Sequence, residues 1–138
     1  LVPWHQDTTI AVEQRAEVPG YGPWSIKDGV PHTQPPARVF EGMFTVRVHL
    51  DPCGADNGPL RVIPDTHRRG ILDEQAVARL AAERAYVECV TDVGGVVVMH
   101  PLAVHASPRA ERPGHRRVLH IEYATSELDG GLLWRDEV

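Results

Sequence analysis

Residues 43–50, Met-Phe-Thr-Val-Arg-Val-His-Leu, alternate without a break: Phe44, Val46, Val48 and Leu50 fall on one side of an extended chain, Met43, Thr45, Arg47 and His49 on the other. Successive side chains of a strand point to opposite faces, so this period of two demands a β-strand with one apolar and one polar face. Shorter runs at 60–64, 86–90, 94–100 and 116–124 also read as strands, each bounded by Gly, Pro or Asp. Asn57-Gly58 is a pair suited to a tight turn between two of them. A single segment has helical spacing: Asp73 offers a capping carboxylate, and Val77, Leu80, Ala81 and Arg84 follow along one side. Many short strands, one helix and frequent turns predict an all-β sandwich or barrel.

The 138 residues suit one domain spanning 1–138. A net charge of −5 with interrupted basic stretches argues against nucleic acid, whose binding needs a basic face. The longest apolar run is broken by His100 and Pro101, which predicts a buried strand and no membrane partner. Cys53 and Cys89 are too few for a disulfide framework, and with no signal peptide in view the expected setting is reducing and cytoplasmic. The opening Leu-Val-Pro-Trp-His-Gln-Asp has no lead-in element, which fits the later part of a longer protein.

Between Glu17 and Pro36 the sequence is crowded with prolines and glycines and reads as one long loop. Its Tyr21, Trp24 and Ile26 favour a packed flap. Trp24 and Lys27 are its candidates for contact with a bound substrate.

His5 and Asp7 are two apart, so on a strand both would face one side and offer an imidazole and a carboxylate to one metal ion. A second histidine would complete a 2-His-1-carboxylate set, which leaves coordination positions open and suits non-haem Fe(II). The pattern is not unique, because His49 and Asp51 repeat it. For the third ligand His100 and His105 both qualify. Ser107 stands two residues after His105 and Arg116 eleven after it, a spacing that allows a turn before Arg116 enters the next strand. A guanidinium fork beside a hydroxyl is suited to a carboxylate. Arg47 and His49 share a strand face: turned inward they would line a pocket and hold an anionic substrate, and turned outward they are solvated. His120, by period two, shares the face of Arg116.

Trp4-His5-Gln6-Asp7, the block from Leu50 to Arg68, and His105-Ala106-Ser107 with its later arginine occur in an order that resembles the phytanoyl-CoA dioxygenase family of Fe(II)/2-oxoglutarate oxygenases. The resemblance covers nearly the whole chain and implies a double-stranded β-helix (jelly roll, cupin-like) with one short helix. It implies His5, Asp7 and His105 as the ligands of Fe(II) and as the catalytic centre, Arg116 as the anchor of the far carboxylate of 2-oxoglutarate, and Ser107 as its hydroxyl helper. Under it, His49 with Asp51 is not the metal motif and His100 is not the distal ligand. O2 is the oxidant, and the reaction implied is hydroxylation of an aliphatic carbon of a small organic substrate with release of succinate and CO2. Retention of the Asp7 carboxylate favours hydroxylation over halogenation.

The chain departs from the family pattern in four places. Ala110 and Arg112 replace an asparagine and a small hydroxyl residue, and the block usually written Pro-Gly-Ser-His is Pro64-Asp65-Thr66-His67. Family members also carry a substantial region ahead of the first metal motif. The competing readings are a non-catalytic cupin-like binding module, an incomplete oxygenase fragment, and a zinc-dependent hydrolase. No feature for coenzyme A is evident in the sequence, and it sets no oligomeric state.

Overall fold

The computed structural model describes residues 1–136. In chain order its strands and helices are β1 (Val2–His5), β2 (Ile10–Ala11), β3 (Trp24–Lys27), β4 (Val30–Thr33), α1 (Ala37–Phe40), β5 (Met43–His49), β6 (Leu60–Val62), α2 (Glu74–Glu83), β7 (Val87–Cys89), β8 (Val96–Met99), β9 (His105–Ser107) and β10 (Val118–Ala124). They fall into two compact units. Leu1–Asp7 and Phe44–Tyr123 form the first; Thr8–Met43 and the residues from Ala124 on belong to the second.

The first unit holds two sheets of the all-β jelly-roll architecture, ordered β1-β9-β6-β7 and β10-β5-β8. β9 lies between β1 and β6, with His5 opposite His105 and His105 opposite Val62. Helix α2 starts where the sequence predicts, with the Asp73 carboxylate accepting the Ala76 N–H, and it buries Val77 and Leu80. These join Ile63 and Val104 in an apolar cluster, and Trp4, Leu72 and Ala81 pack against it. The residues flanking the site, Trp4 and Val104, are therefore fixed by the core.

Strand β5 occupies the predicted residues, and its polar face is the inner one. Met43, Thr45 and His49 are at most 5% exposed, whereas Phe44 is 39% and Leu50 51% exposed. Phe44 stacks on Tyr123 of β10, with ring centroids 5.1 Å apart, on the outer side. Burying Thr45 and His49, with Arg47 half-buried between them, is costly unless something pairs with them. That cost bears directly on the site.

In the second unit the order is β2-β4-β3. The segment 17–36 is not one loop, because β3 and β4 form an antiparallel hairpin within it. Its turn is Asp28-Gly29, with φ of 50° and 81°, the positive values that an Asp-Gly pair accepts. The density of proline masks this signal; Pro31 sits inside β4 and pairs with Ile26 across the hairpin. Gly22-Pro23 is a cis peptide. The short turn α1 is a second helix that the sequence did not announce. No helix among the described residues is long and apolar enough to cross a membrane.

Candidate functional site

His5, at the end of β1, and His105, at the start of β9, face each other across one rung of the sheet, their ring centroids 4.2 Å apart. Asp7 lies just past β1, where the strand has already shifted register, so the simple rule of two residues on one strand does not place it. Its position comes from two anchors. The Asp7 N–H donates to Pro101 O at 3.0 Å. Next to it the buried Gln6 side chain turns the other way, donating to Gly70 O and Leu102 O and accepting from the Leu72 N–H. Gln6 was invisible as a site residue in the sequence; its only signal was its place between the two candidate ligands.

The result is a converging set: Asp7 Oδ1 is 3.6 Å from His5 Nε2, and Asp7 Oδ2 is 3.5 Å from His105 Nε2. His5 Nδ1 lies 2.8 Å from Pro3 O, and His105 Nδ1 2.8 Å from Ala103 O. A carbonyl only accepts, so both Nδ1 atoms carry the hydrogen and both Nε2 lone pairs point into the cluster. That is the tautomer a metal ligand requires, and the backbone carbonyl fixes it. The three donor atoms lie within 4.8 Å of one another. The donor set of two imidazoles and one carboxylate fits an Fe(II) ion.

The charges respond to this crowding. Burial pushes the Asp7 carboxyl up, but its contact with His5 and the nearby His105 outweigh that and hold it below the usual range. The Asp7 carboxylate raises His5, because it favours the protonated ring, and burial lowers His105 despite the same carboxylate.

A second grouping, Asp7 with His120 and Glu122, is equally tight. Its tautomer is the wrong one for a metal. Arg47 Nη1 lies 2.9 Å from His120 Nδ1, and a guanidinium only donates, so Nδ1 accepts and Nε2 bears the hydrogen. His120 is thus a hydrogen-bonding neighbour that also lies 3.7 Å from Glu122 Oε1.

Ser107 and Arg116 meet at the turn glycine. Arg116 Nη1 donates to Ser107 Oγ at 2.9 Å and to Gly58 O, and Ser107 Oγ donates to Gly58 O at 2.9 Å. Gly58 adopts φ of 66°, and a Cβ there would stand 2.6 Å from Pro108 O, so no other residue fits without movement. Asn57 supports the same loop, donating to His115 O and accepting from the Gly114 N–H. The sequence flagged Asn57-Gly58 as a turn and missed its role in carrying Arg116.

On the inner face of β5, Arg47 Nε, Thr45 Oγ1 and both ring nitrogens of His49 are buried without a hydrogen-bond partner. An unmet buried polar group costs about 1–3 kcal/mol, so this row is built to be filled by water or ligand. Burial lowers His49 first, followed by the charges of Arg47 and Arg116. Among the described residues neither Arg47 nor Arg116 has a carboxylate within ion-pair distance.

The rival pair separates. Asp51 accepts three hydrogen bonds from Arg117, while the His49 ring nitrogens have no partner. His100 Nδ1 accepts the Leu102 N–H, and its ring packs beside that of His67. Trp24 and Lys27 belong to the second unit: Arg15 lies over the Trp24 ring at 5.8 Å, and Lys27 Nζ donates to Thr9 Oγ1 at 2.8 Å. A shallow pocket there is lined by Arg15, Trp24, Ser25, Ile26 and Pro31 and holds no cluster of titratable groups.

A family model for phytanoyl-CoA dioxygenase (PhyH) matches residues 1–118. Among solved structures, AviO1 from Streptomyces viridochromogenes Tue57 is 28% identical, with a TM-score of 0.58 over 90% of this chain and 43% of that one. EctD from S. alaskensis with 2-oxoglutarate and 5-hydroxyectoine is 28% identical, with a TM-score of 0.52 over 59% of this chain and 30% of that one. SnoK, a non-heme alpha ketoglutarate dependent carbocyclase from nogalamycin biosynthesis, is 15% identical with a TM-score of 0.62 over 91% of this chain and 44% of that one, a likeness of fold. The chain spans less than half the length of these solved proteins. No curated protein matches it.

Proposed function

Because the chain belongs to the phytanoyl-CoA dioxygenase (PhyH) family, whose members use Fe(II), 2-oxoglutarate and O2, we propose that it is a 2-oxoglutarate-dependent oxygenase that hydroxylates an aliphatic carbon of a small organic substrate. One observation carries this reading: two imidazoles with Nε2 lone pairs turned inward, on either side of one carboxylate, with each Nδ1 tied to a backbone carbonyl. Three protein ligands would leave positions on such an ion open to cosubstrate and O2.

In this reading His5, Asp7 and His105 hold Fe(II), and Arg116 with Ser107 pairs with the far carboxylate of 2-oxoglutarate. When bound, the iron and cosubstrate supply the oxidising power, releasing succinate and CO2. The chain's own part is geometry and charge. The backbone carbonyls of Pro3 and Ala103 set the imidazole tautomers, Gln6 and Pro101 fix Asp7, and Gly58 aims the guanidinium. Hydroxylation is favoured because the Asp7 carboxylate occupies the position that a halogenating site would clear for chloride.

The test is anaerobic addition of Fe(II) and then 2-oxoglutarate to the folded protein. A weak visible charge-transfer band is expected, lost in His105→Ala and retained in Asp51→Asn once 2-oxoglutarate is saturating. No band in a folded sample, or one indifferent to His105→Ala, sinks the reading. Hydrolytic activity with Zn(II) alone that survives Arg116→Ala favours the hydrolase instead.

A further inference from the structure

Among the described residues, two guanidiniums without a carboxylate at ion-pair distance, Arg47 and Arg116, belong to one site and feel each other's charge. Arg116 is at the Ser107 and Gly58 end. Arg47 is at the metal end, because its Nη1 bonds to His120 Nδ1, and His120 in turn lies within 4.8 Å of the Asp7 carboxylate. Like charges brought near each other repel, and both stay charged because arginine does not deprotonate in proteins. Such a pair calls for an anion, and one bearing a negative group at each end fits best.

We propose that Arg47 is the second anion anchor of the site, pairing with the 2-oxo carboxylate end of the cosubstrate while Arg116 takes its far carboxylate. The proposal rests on the oxygenase reading above and deepens it. His120 is the positioning residue for Arg47: with Nδ1 as acceptor it holds one arm of the guanidinium and leaves the Nε edge, buried and unpaired, for a ligand. Thr45 and His49, on the same face of β5, extend the row of unpaired donors and acceptors beside it. Arg47 thus does not serve the primary substrate, and an anionic group is not required of that substrate.

The experiment is calorimetric titration of the Mn(II)-loaded chain, which does not turn over, with two acids. 2-Oxoglutarate carries both carboxylates; 2-oxobutanoate carries only the 2-oxo carboxylate end. Arg47→Met is expected to weaken both acids by about tenfold or more and by similar factors, the loss of one charge-assisted pair. Arg116→Met is expected to weaken 2-oxoglutarate alone and so erase the preference for it.

The two readings fail separately. If Arg116→Met leaves the preference for 2-oxoglutarate intact, the oxygenase assignment of Arg116 is wrong. If Arg116→Met behaves as expected but Arg47→Met binds 2-oxobutanoate within about twofold of wild type, the Arg47 anchor is overturned. Should Arg47→Met not fold, Arg47→Lys decides: it keeps the charge but loses the fork, so both acids should weaken by about threefold or more, and unchanged binding overturns the proposal.

Discussion

Asp51 grips Arg117 with both carboxylate oxygens: Oδ2 accepts the backbone N–H and Nε, and Oδ1 accepts Nη2, each at 2.8 Å. This pair decides which way Arg116 points. Fastening Arg117 to Asp51 just ahead of β10 fixes the backbone next to Arg116, whose side chain reaches Ser107 and Gly58. The hydrogen bonds from Arg117 hold the Asp51 carboxyl well below the usual carboxylate range. A carboxyl depressed on folding contributes stability that is present above its unfolded pKa, near 4, and lost as the pH falls through the folded value.

Asp51→Asn should therefore lower the urea midpoint at pH 7, and the gap from wild type should close as the pH is taken below about 4. Added salt should narrow it at pH 7 as well, since the Arg117 side chain is largely exposed. A gap independent of pH would show that the pair contributes shape and not charge. The same variant should bind 2-oxoglutarate more weakly, because Arg116 loses its direction.

Gln6→Ala removes a buried side chain that makes three hydrogen bonds and leaves two carbonyls and one N–H behind it to find water. The expected cost is about 3 kcal/mol of unfolding free energy in denaturant titration. Affinity for Co(II) should fall by about tenfold, in line with the loss of a group that orients metal ligands. Gln6→Glu keeps the shape but loses both amide donors and sets a carboxylate oxygen against the Gly70 and Leu102 carbonyls, so it should destabilise at least as much.

Gly58→Ala places a Cβ against Pro108 O on a backbone in the left-handed region. The conformational penalty alone is about 1–2 kcal/mol, so with the clash a loss of roughly 2–4 kcal/mol is expected. Since the Gly58 carbonyl receives both Ser107 and Arg116, the surviving folded fraction should also bind 2-oxoglutarate at least several-fold more weakly. An alanine variant of full stability would mean that the 58–60 turn relaxes freely.

What could be read beforehand depended on whether a local rule decided the outcome. Period two located β5, and Asp73 with its apolar spacing located α2, because pattern and capping act within a few residues. Which face of β5 turns inward was undecidable locally: the apolar side chains Phe44 and Leu50 lie outward, and Thr45, Arg47 and His49 inward, an arrangement that only a polar site makes sensible. The hairpin 24–33 carried a legible signal in Asp28-Gly29, overridden by counting prolines. Asp7 came to the predicted neighbourhood by an unpredicted route, since contacts with Pro101, Gly70 and Leu102 place it and its neighbour Gln6, and strand alternation does not. Tautomers separate His5 and His105 from His120: the first two are set locally, each Nδ1 meeting the carbonyl two residues back, whereas that of His120 is set by Arg47 on another strand and leaves no local trace in the sequence.

Asp65 bears on the departure at Pro64-Asp65-Thr66-His67. Its φ is 64°, a left-handed conformation that glycine adopts freely and aspartate tolerates at a cost. The family's usual glycine at this position meets that demand; here aspartate meets it with strain, and its contact with Arg68 at 3.8 Å is exposed and offsets little. Thr66 preserves the hydroxyl that follows: buried, it donates to Ile63 O and accepts from the Val104 N–H, fixing the residue before His105. Asp65→Gly should therefore stabilise the chain by about 0.5–1 kcal/mol, the relief of a left-handed Cβ less the added freedom of the unfolded glycine. Thr66→Val should do the opposite, costing about 1–3 kcal/mol by leaving the Val104 N–H and Ile63 carbonyl unmet. Chemical denaturation of the pair gives the answer, and an Asp65→Gly variant less stable than wild type would show that the aspartate makes a contribution larger than its strain.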